Sequence, residues 1–349
     1  MERKRKKGYL LMGILCIFLL LCIVLSVTMG SAAVTLLDSW RVILSKIPIL
    51  RYFIEGSHIK SMYDVIVWQV RMPRILQAAL VGGNLAIVGC TFQAIFKNVL
   101  ADSHVLGISS GASLGATIGV LSGISLNFLG LGVTSIYAFV GAILTVMLVY
   151  RIGTWGGKVN ITYLILVGTA MSTLLSAMIS LLMIYNREQL EKVYLWTLGS
   201  FASATWNKVG FLAIITLLGV IILYFYSQEL NVLLTGDEVA ESLGVDINRV
   251  KMILISVASL LIAASVSVSG PIGFVGLIIP HCMRLLIGSN HRLLLPLSLL
   301  SGASFMIICD TMARTVAEPT EIPVGVITAV FGVPYFIYLL YRQAKSGKV

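Results

Sequence analysis

Between Tyr9 and Met29 the chain runs for 21 residues without a charged side chain. A helix needs about 20 apolar residues to cross a bilayer's hydrocarbon core. Ahead of this run Met1–Lys7 places five positive charges. The run is too long for a signal-peptide core, and no small-residue cleavage site follows one. It therefore reads as an uncleaved first helix with its N-terminus in the cytoplasm. The same signature recurs along the chain. Further apolar spans are predicted from Arg71–Arg74 to about Phe96, over Gly107–Gly123, and over Leu126–Tyr150, Ile161–Tyr185 and Lys208–Tyr226. Four more follow at Met252–Val268, Phe274–Ile287, Leu293–Ala313 and Val324–Tyr341. These make about ten transmembrane helices in one membrane domain over residues 1–349, an all-α polytopic membrane protein. With 58% hydrophobic and 11% charged residues and a mean hydropathy of +0.97, no separate soluble catalytic domain is left.

The net charge of +10 does not point to nucleic acid, because the Lys and Arg sit in short loops and form no basic face. Cys16, Cys22, Cys90, Cys282 and Cys309 lie in apolar segments without CxxC spacing and read as buried small hydrophobes. His58, His104, His281 and His291 are scattered, so no metal site is expected. His281 reads as a packing residue rather than a haem ligand. No GxxxxGK[ST] loop is present, so the chain should hold no nucleotide and should not hydrolyse ATP. Asp310 is the clear acidic residue inside a span, and Arg314 lies one turn on, able to neutralise it. An ion-driven secondary transporter usually needs more embedded charge, and a plain membrane anchor would need less elaborate sequence.

Gly107, Gly111, Gly115, Gly119 and Gly123 repeat every four residues. The stripe lets helices approach closely and reads either as a pathway-lining face or as plain packing. With both termini inside, the larger share of the 25 Lys and Arg falls on the cytoplasmic side. Gly30–Asp64, with Asp38, Arg41, Lys46, Arg51, Glu55 and Lys60, is then outside, as is Asn186–Trp206. Lys97–Ser103 and Arg151–Lys158 are cytoplasmic turns.

That topology also puts Gln228–Lys251 in the cytoplasm, the longest polar interval in the second half of the chain. Thr235 with Glu238 reads as a capping box, Gly244 as a helix stop, and Asp246 as the cap of the next helix. Val239 and Leu243 share one face with Ala240 beside them, while Asp237, Glu238 and Glu241 supply charge at its rim. Such a helix, with no core of its own, reads either as a grip for a partner or as a linker.

Several stretches together resemble the FecCD-type permeases of binding-protein-dependent ABC importers for iron-siderophores, haem and cobalamin. They are WQVRMPR (Trp68–Arg74), KNVLADSHVLGISSGASLGA (Lys97–Ala116), LNVLLTGDEVAESLGVD (Leu230–Asp246), SGPIGFVGLIIPHCMRLLIG (Ser269–Gly288) and DTMARTVAEPTEIPVGVITAVFGVPYFIYLL (Asp310–Leu340). The likeness runs from about Asp64 to the end. Val99 departs from it, standing where proline is usual.

The resemblance implies a type II ABC importer permease in the cytoplasmic membrane of a prokaryote. It implies two such subunits, identical or paralogous, above two cytoplasmic ATPases that use ATP and Mg, with an extracytoplasmic binding protein delivering an iron-siderophore, or else haem or cobalamin. Thr235, Gly236, Asp237, Glu238, Val239, Ala240, Glu241, Leu243 and Gly244 would couple to the ATPase. Arg71, Arg74 and Arg314 would dock the binding protein. Asn98, Val99 and Leu100, with Ile161 and Thr162, would lie at the cytoplasmic gate.

Overall fold

Polar caps punctuate the apolar runs. In the computed structural model, which describes residues 2–30, 34–46, 61–102, 104–124, 127–128, 130–154 and 159–345, α1 is Glu2–Thr28 and α2 is Leu36–Ser45. The short α3 (Ser61–Asp64) continues through a π-helical stretch, Val65–Arg71, into α4 (Met72–Ile95). Then come α5 (Ile108–Leu121), the two-residue strands β1 (Asn127–Phe128) and β2 (Leu131–Gly132), α6 (Val133–Gly153) and α7 (Ile161–Tyr185). The second half holds α8 (Leu190–Thr197), α9 (Trp206–Phe225), α10 (Ser227–Leu233), α11 (Asp237–Ser242), α12 (Ile247–Ser269), α13 (Val275–Ile287), α14 (His291–Thr315) and α15 (Val324–Lys345). Asn160, Thr205, Asp246 and Asn290 cap α7, α9, α12 and α14 by accepting amide hydrogen bonds from the first turn. Arg51, Glu55 and Lys60 of the expected outer segment, and Ser103 and Lys158 of the expected turns, lie outside the described residues.

Among the described residues, eight helical segments are long and apolar enough to cross a membrane. Two more apolar helices, α5 and α13, are shorter. The span expected to start after Arg74 is longer than that, because Ser61–Ile95 is one 35-residue helical segment. Pro73 lacks an N–H and its ring crowds the carbonyl one turn back, which ordinarily breaks a helix. Here the wider π turn just before it absorbs the misfit, and the helix carries through.

α4 is the axis of the fold. Most of its apolar stretch is buried, whereas α1 and α7 keep only 17% of theirs inside the subunit. α14 crosses α4 where Gly82 meets Gly302, and α13 crosses where Gly89 meets Gly276. At either point a Cβ would strike the other helix's backbone. Buried polar side chains pair across the same axis. Asn84 donates to Thr216 Oγ1 at 2.8 Å and Ser265 Oγ at 3.1 Å, and Gln77 to the Val268 carbonyl at 3.0 Å. Three of the five cysteines, Cys22, Cys90 and Cys309, are buried, but Cys16 is exposed on α1.

Candidate functional site

At the end of α4 that carries Lys97, the polar segment folds as α10, α11 and a turn. The expected capping box does not form. Thr235 turns its hydroxyl back to the Val232 carbonyl, and Gly236, at φ 122°, takes the N-cap position with no side-chain cap. Glycine alone suits that backbone geometry. The helix stop does form, with Gly244 at φ 82°, and Asp246 Oδ1 accepts the Arg249 amide at 3.0 Å. Ala240 is fully buried against the main core, so it anchors α11 and offers nothing to a partner. On the opposite side Val239 and Leu243 are 47% and 65% exposed, with Glu238 and Glu241 exposed beside them.

Asp237, its side chain 44% exposed, is already committed to two cations of this chain. Its Oδ1 pairs with Lys97 Nζ and its Oδ2 with Lys251 Nζ, both at 2.7 Å. Burial pushes the carboxyl upward, but the hydrogen bonds and charges of Lys251 and Lys97 outweigh it and hold the group below the ordinary carboxylate range. Lys97 follows α4 at φ 49°, a left-handed conformation that costs a non-glycine residue about 1 kcal/mol or more. Beyond it Asn98 Oδ1 accepts the Leu100 amide at 2.9 Å, forming the tight turn in which Val99 sits half-buried. The second expected gate segment is capped by Asn160, which accepts from Thr162 and Tyr163, leaving Ile161 half-buried and Thr162 exposed. It too is tied to α12, because the Val159 amide donates to Asn248 Oδ1 at 3.2 Å.

The arginines lie at the far end of α4, roughly 35 Å away at 1.5 Å rise per residue. They do not reach outward from the subunit. Arg71, Arg74 and Arg314 are 4%, 6% and 8% exposed, and carboxylates of the same chain already face two of them. Arg74 Nε bonds both oxygens of Asp310, at 3.0 and 3.1 Å, and Nη1 bonds both of Glu321, at 3.0 and 2.8 Å. Arg314 Nε lies 3.3 Å from Asp310 Oδ2, an ion pair not aligned as a hydrogen bond. Its Nη2 bonds Ser26 Oγ at 2.8 Å. Arg71 Nη1 donates to the Val27 carbonyl at 2.6 Å, satisfying an acceptor that the end of α1 leaves open. Helix burial against α1 and α14 draws all three inward. They form the floor of a recess of about 220 Å³ with Gly30, Glu318 and Glu321.

The glycine stripe faces this chain's own α6 rather than a pathway. A Cβ on Gly111 would press on Thr145 and the Gly141 carbonyl, one on Gly115 on Tyr137, and one on Gly119 on Thr134. Gly107, at φ 73°, caps α5 against Gly168 and Ser172 of α7, and Gly123 lies beyond the helix. His281 packs edge-on to Tyr335, with ring centroids 6.3 Å apart and neither ring nitrogen hydrogen-bonded. No His, Cys, Asp and Glu cluster able to hold a metal occurs among the described residues.

Lys97, Lys251, Gln93 and Asn248 were not legible as site residues. A lysine in the second turn of an apolar helix did signal a buried charge in need of a partner. Gln93 ties the end of α4 to α13, donating to the Gly276 and Leu277 carbonyls and accepting from Arg284.

Similarity to known proteins extends over most of the chain. The chain is 43% identical over 277 residues to the cobalamin import system permease protein BtuC of Halobacterium salinarum, covering 79% of this chain and 73% of that one. It is 35% identical to the hemin transport system permease protein HmuU of Yersinia pestis, covering 98% of each. Among solved structures, an inward-facing metal-chelate type ABC transporter matches with TM-score 0.81 at 33% identity, covering 95% of this chain and 98% of that one. The profile of the FecCD transport family matches residues 18–342, and this chain belongs to that family of ABC importer permeases.

Proposed function

We infer that this chain is one of two membrane-spanning subunits of an importer that carries an iron-siderophore complex inward by alternating access. It works with a second permease, identical or paralogous, two cytoplasmic ATPases that use ATP and Mg, and an extracytoplasmic binding protein. The observation that carries the ATP-driven reading is the two-sidedness of α11. Ala240 and Asp237 bind it to the permease, while Val239 and Leu243 stand uncovered. A short helix fixed on one side and apolar on the other suits a protein partner. The ATPases then lie at this end in the cytoplasm, with both termini, and the arginine recess opens outside in a prokaryotic cytoplasmic membrane.

Asp310 is paired with Arg74 and Arg314, which argues against its serving as a proton or sodium site. The recess floored by Arg71, Arg74 and Arg314 takes the binding protein, whose acidic side chains would enter it rather than meet arginines on an open surface. Asn98–Leu100 and Ile161–Thr162 form the cytoplasmic gate.

A chelate cargo is supported by relatives named for cobalamin and haemin, and these two define the second reading. The test is purification from membranes with the ATPase, then ATP-dependent accumulation of a ferric hydroxamate, haemin or cyanocobalamin in proteoliposomes. Retained ATPase with ferric hydroxamate uptake supports the reading. Uptake of haemin or cyanocobalamin alone reassigns the cargo. Absence of any associated ATPase overturns the importer.

A further inference from the structure

One carboxylate at the start of α11 holds a cation from α12 and another from the turn just past α4. Each oxygen of Asp237 takes one ammonium at 2.7 Å, and the two partners differ in setting. The Lys251 side chain is 3% exposed, a buried charge on α12 paired with Asp237. The Lys97 side chain is 36% exposed, stands in left-handed backbone just past α4, and leads directly into the Asn98 turn. The shared Asp237 carboxylate is 44% exposed, so the difference lies in the lysines: the buried ammonium resists separation because it would be left uncompensated, whereas the exposed one exchanges with water at little cost. Apart from these ion pairs, α11 is held by Ala240 and by its links to α10 and α12. Among the described residues, the hydrogen bond that joins α11 to the turn past α4 is that of Lys97 with Asp237.

We propose that Asp237 is the joint that transmits movement of α11 to α4 and α12, with Lys251 as its fixed anchor and Lys97 as the contact that yields. Displacement of α11 pulls α12 directly through the pair with the buried Lys251. It moves the end of α4 only while the exposed pair is closed, so the turn at Asn98–Leu100 follows α11 in one part of the cycle and is released in the other. Asp237 is thus a positioning residue that faces the permease. Val239 and Leu243 face the ATPase. The proposal rests on α11 being the ATPase-docking element.

The test uses the complete permease purified with its ATPase and carrying Val99→Cys as a reporter in the turn. Alkylation of that site is quantified on its peptide with and without ATP, beside ATPase retention and hydrolysis. In the otherwise native background ATP should change the alkylation rate at least about fivefold, the lower end of ordinary coupling between sites. With Asp237→Asn the ATPase should stay bound and hydrolyse ATP, while the ATP effect at the reporter falls below about twofold; Asp237→Glu should restore it. An undiminished ATP effect in Asp237→Asn overturns the proposal. So does loss of the ATPase in that variant, which would place Asp237 in the docking face, and so does a reporter that ignores ATP in the native background. Should Asp237→Asn fail to insert, Lys97→Met takes its place, with the same loss of ATP effect expected and an unchanged effect overturning the joint. Leu243→Asp checks the underlying reading separately: ATPase retained at native level there removes α11 from docking, whatever Asp237 does.

Discussion

Replacing Arg74 with Met separates a buried structural ion pair from a freely presented docking charge. The side chains of Arg74 and Asp310 are 8% and 1% exposed, and both Asp310 oxygens bond Arg74 Nε. Removing one partner of a buried pair typically costs about 3–5 kcal/mol, because the other charge stays behind uncompensated. Arg314 remains 3.3 Å from Asp310, though poorly aligned, so the lower figure of about 3 kcal/mol applies. That is a shift of roughly 100-fold in the folding equilibrium constant and, for a chain of this length, about 5 °C in melting temperature. Glu321 is 47% exposed on its side chain, and Glu321→Gln should cost about 1 kcal/mol at most. The assay is thermal unfolding of the detergent-solubilised permease, followed by size-exclusion of the fluorescently tagged protein after heating. A melting temperature for Arg74→Met within about one degree of the native protein, where about 5 °C is expected, would refute the structural role. It would leave Arg74 as a docking charge only.

Three further outcomes are expected. Leu243→Asp should strip the ATPase from membranes while the permease still inserts, and Glu241→Gln should be mild, because an apolar anchor can cost a few kcal/mol and a rim charge about 1 kcal/mol or less; co-purified ATPase per permease is the readout. Gly111→Leu should drive α5 and α6 apart at a cost of about 1–3 kcal/mol or more, lowering both yield and melting temperature; native values in both would remove the stripe from the packing of this subunit. Because Lys251 and Lys97 overcome burial and hold the Asp237 carboxyl low, its contribution is fully present above the unfolded carboxylate value and is lost only as pH falls through the lowered one. Hydrogen exchange across Gln228–Lys251, corrected for intrinsic rate, should therefore be flat from about pH 5 to pH 8, and a rise within that window would contradict the pairing.

The helices were legible because membrane spans announce themselves by uncharged length, and the Asp246 cap by residue type at a boundary. Gly244 was legible for the same local reason. Most of what escaped was set by partners far along the chain, Thr235 excepted, whose competing acceptor lies three residues back. Thr235 looked like a cap until the Val232 carbonyl claimed its hydroxyl. Asp237 looked like a surface charge because Lys97 lies 140 residues away. The arginines looked outward-facing because nothing local shows that Glu321, 247 residues on, folds back onto Arg74. The glycine stripe was seen correctly as a means of close approach, but spacing alone cannot name the helix that approaches.

α11 has six residues and no side chain bonded to its first amides. So short an uncapped helix cannot sustain itself in water and persists through its contacts. The permease therefore reaches the membrane with its hand-hold only half built, gripped from one side. On the proposed docking, the ATPase would supply the other side, so assembly should slow amide exchange at residues 236–243 while leaving the capped start of α12 unchanged. A subunit without its motor differs from an assembled one in the durability of a single turn of helix, and amide exchange reads that difference directly.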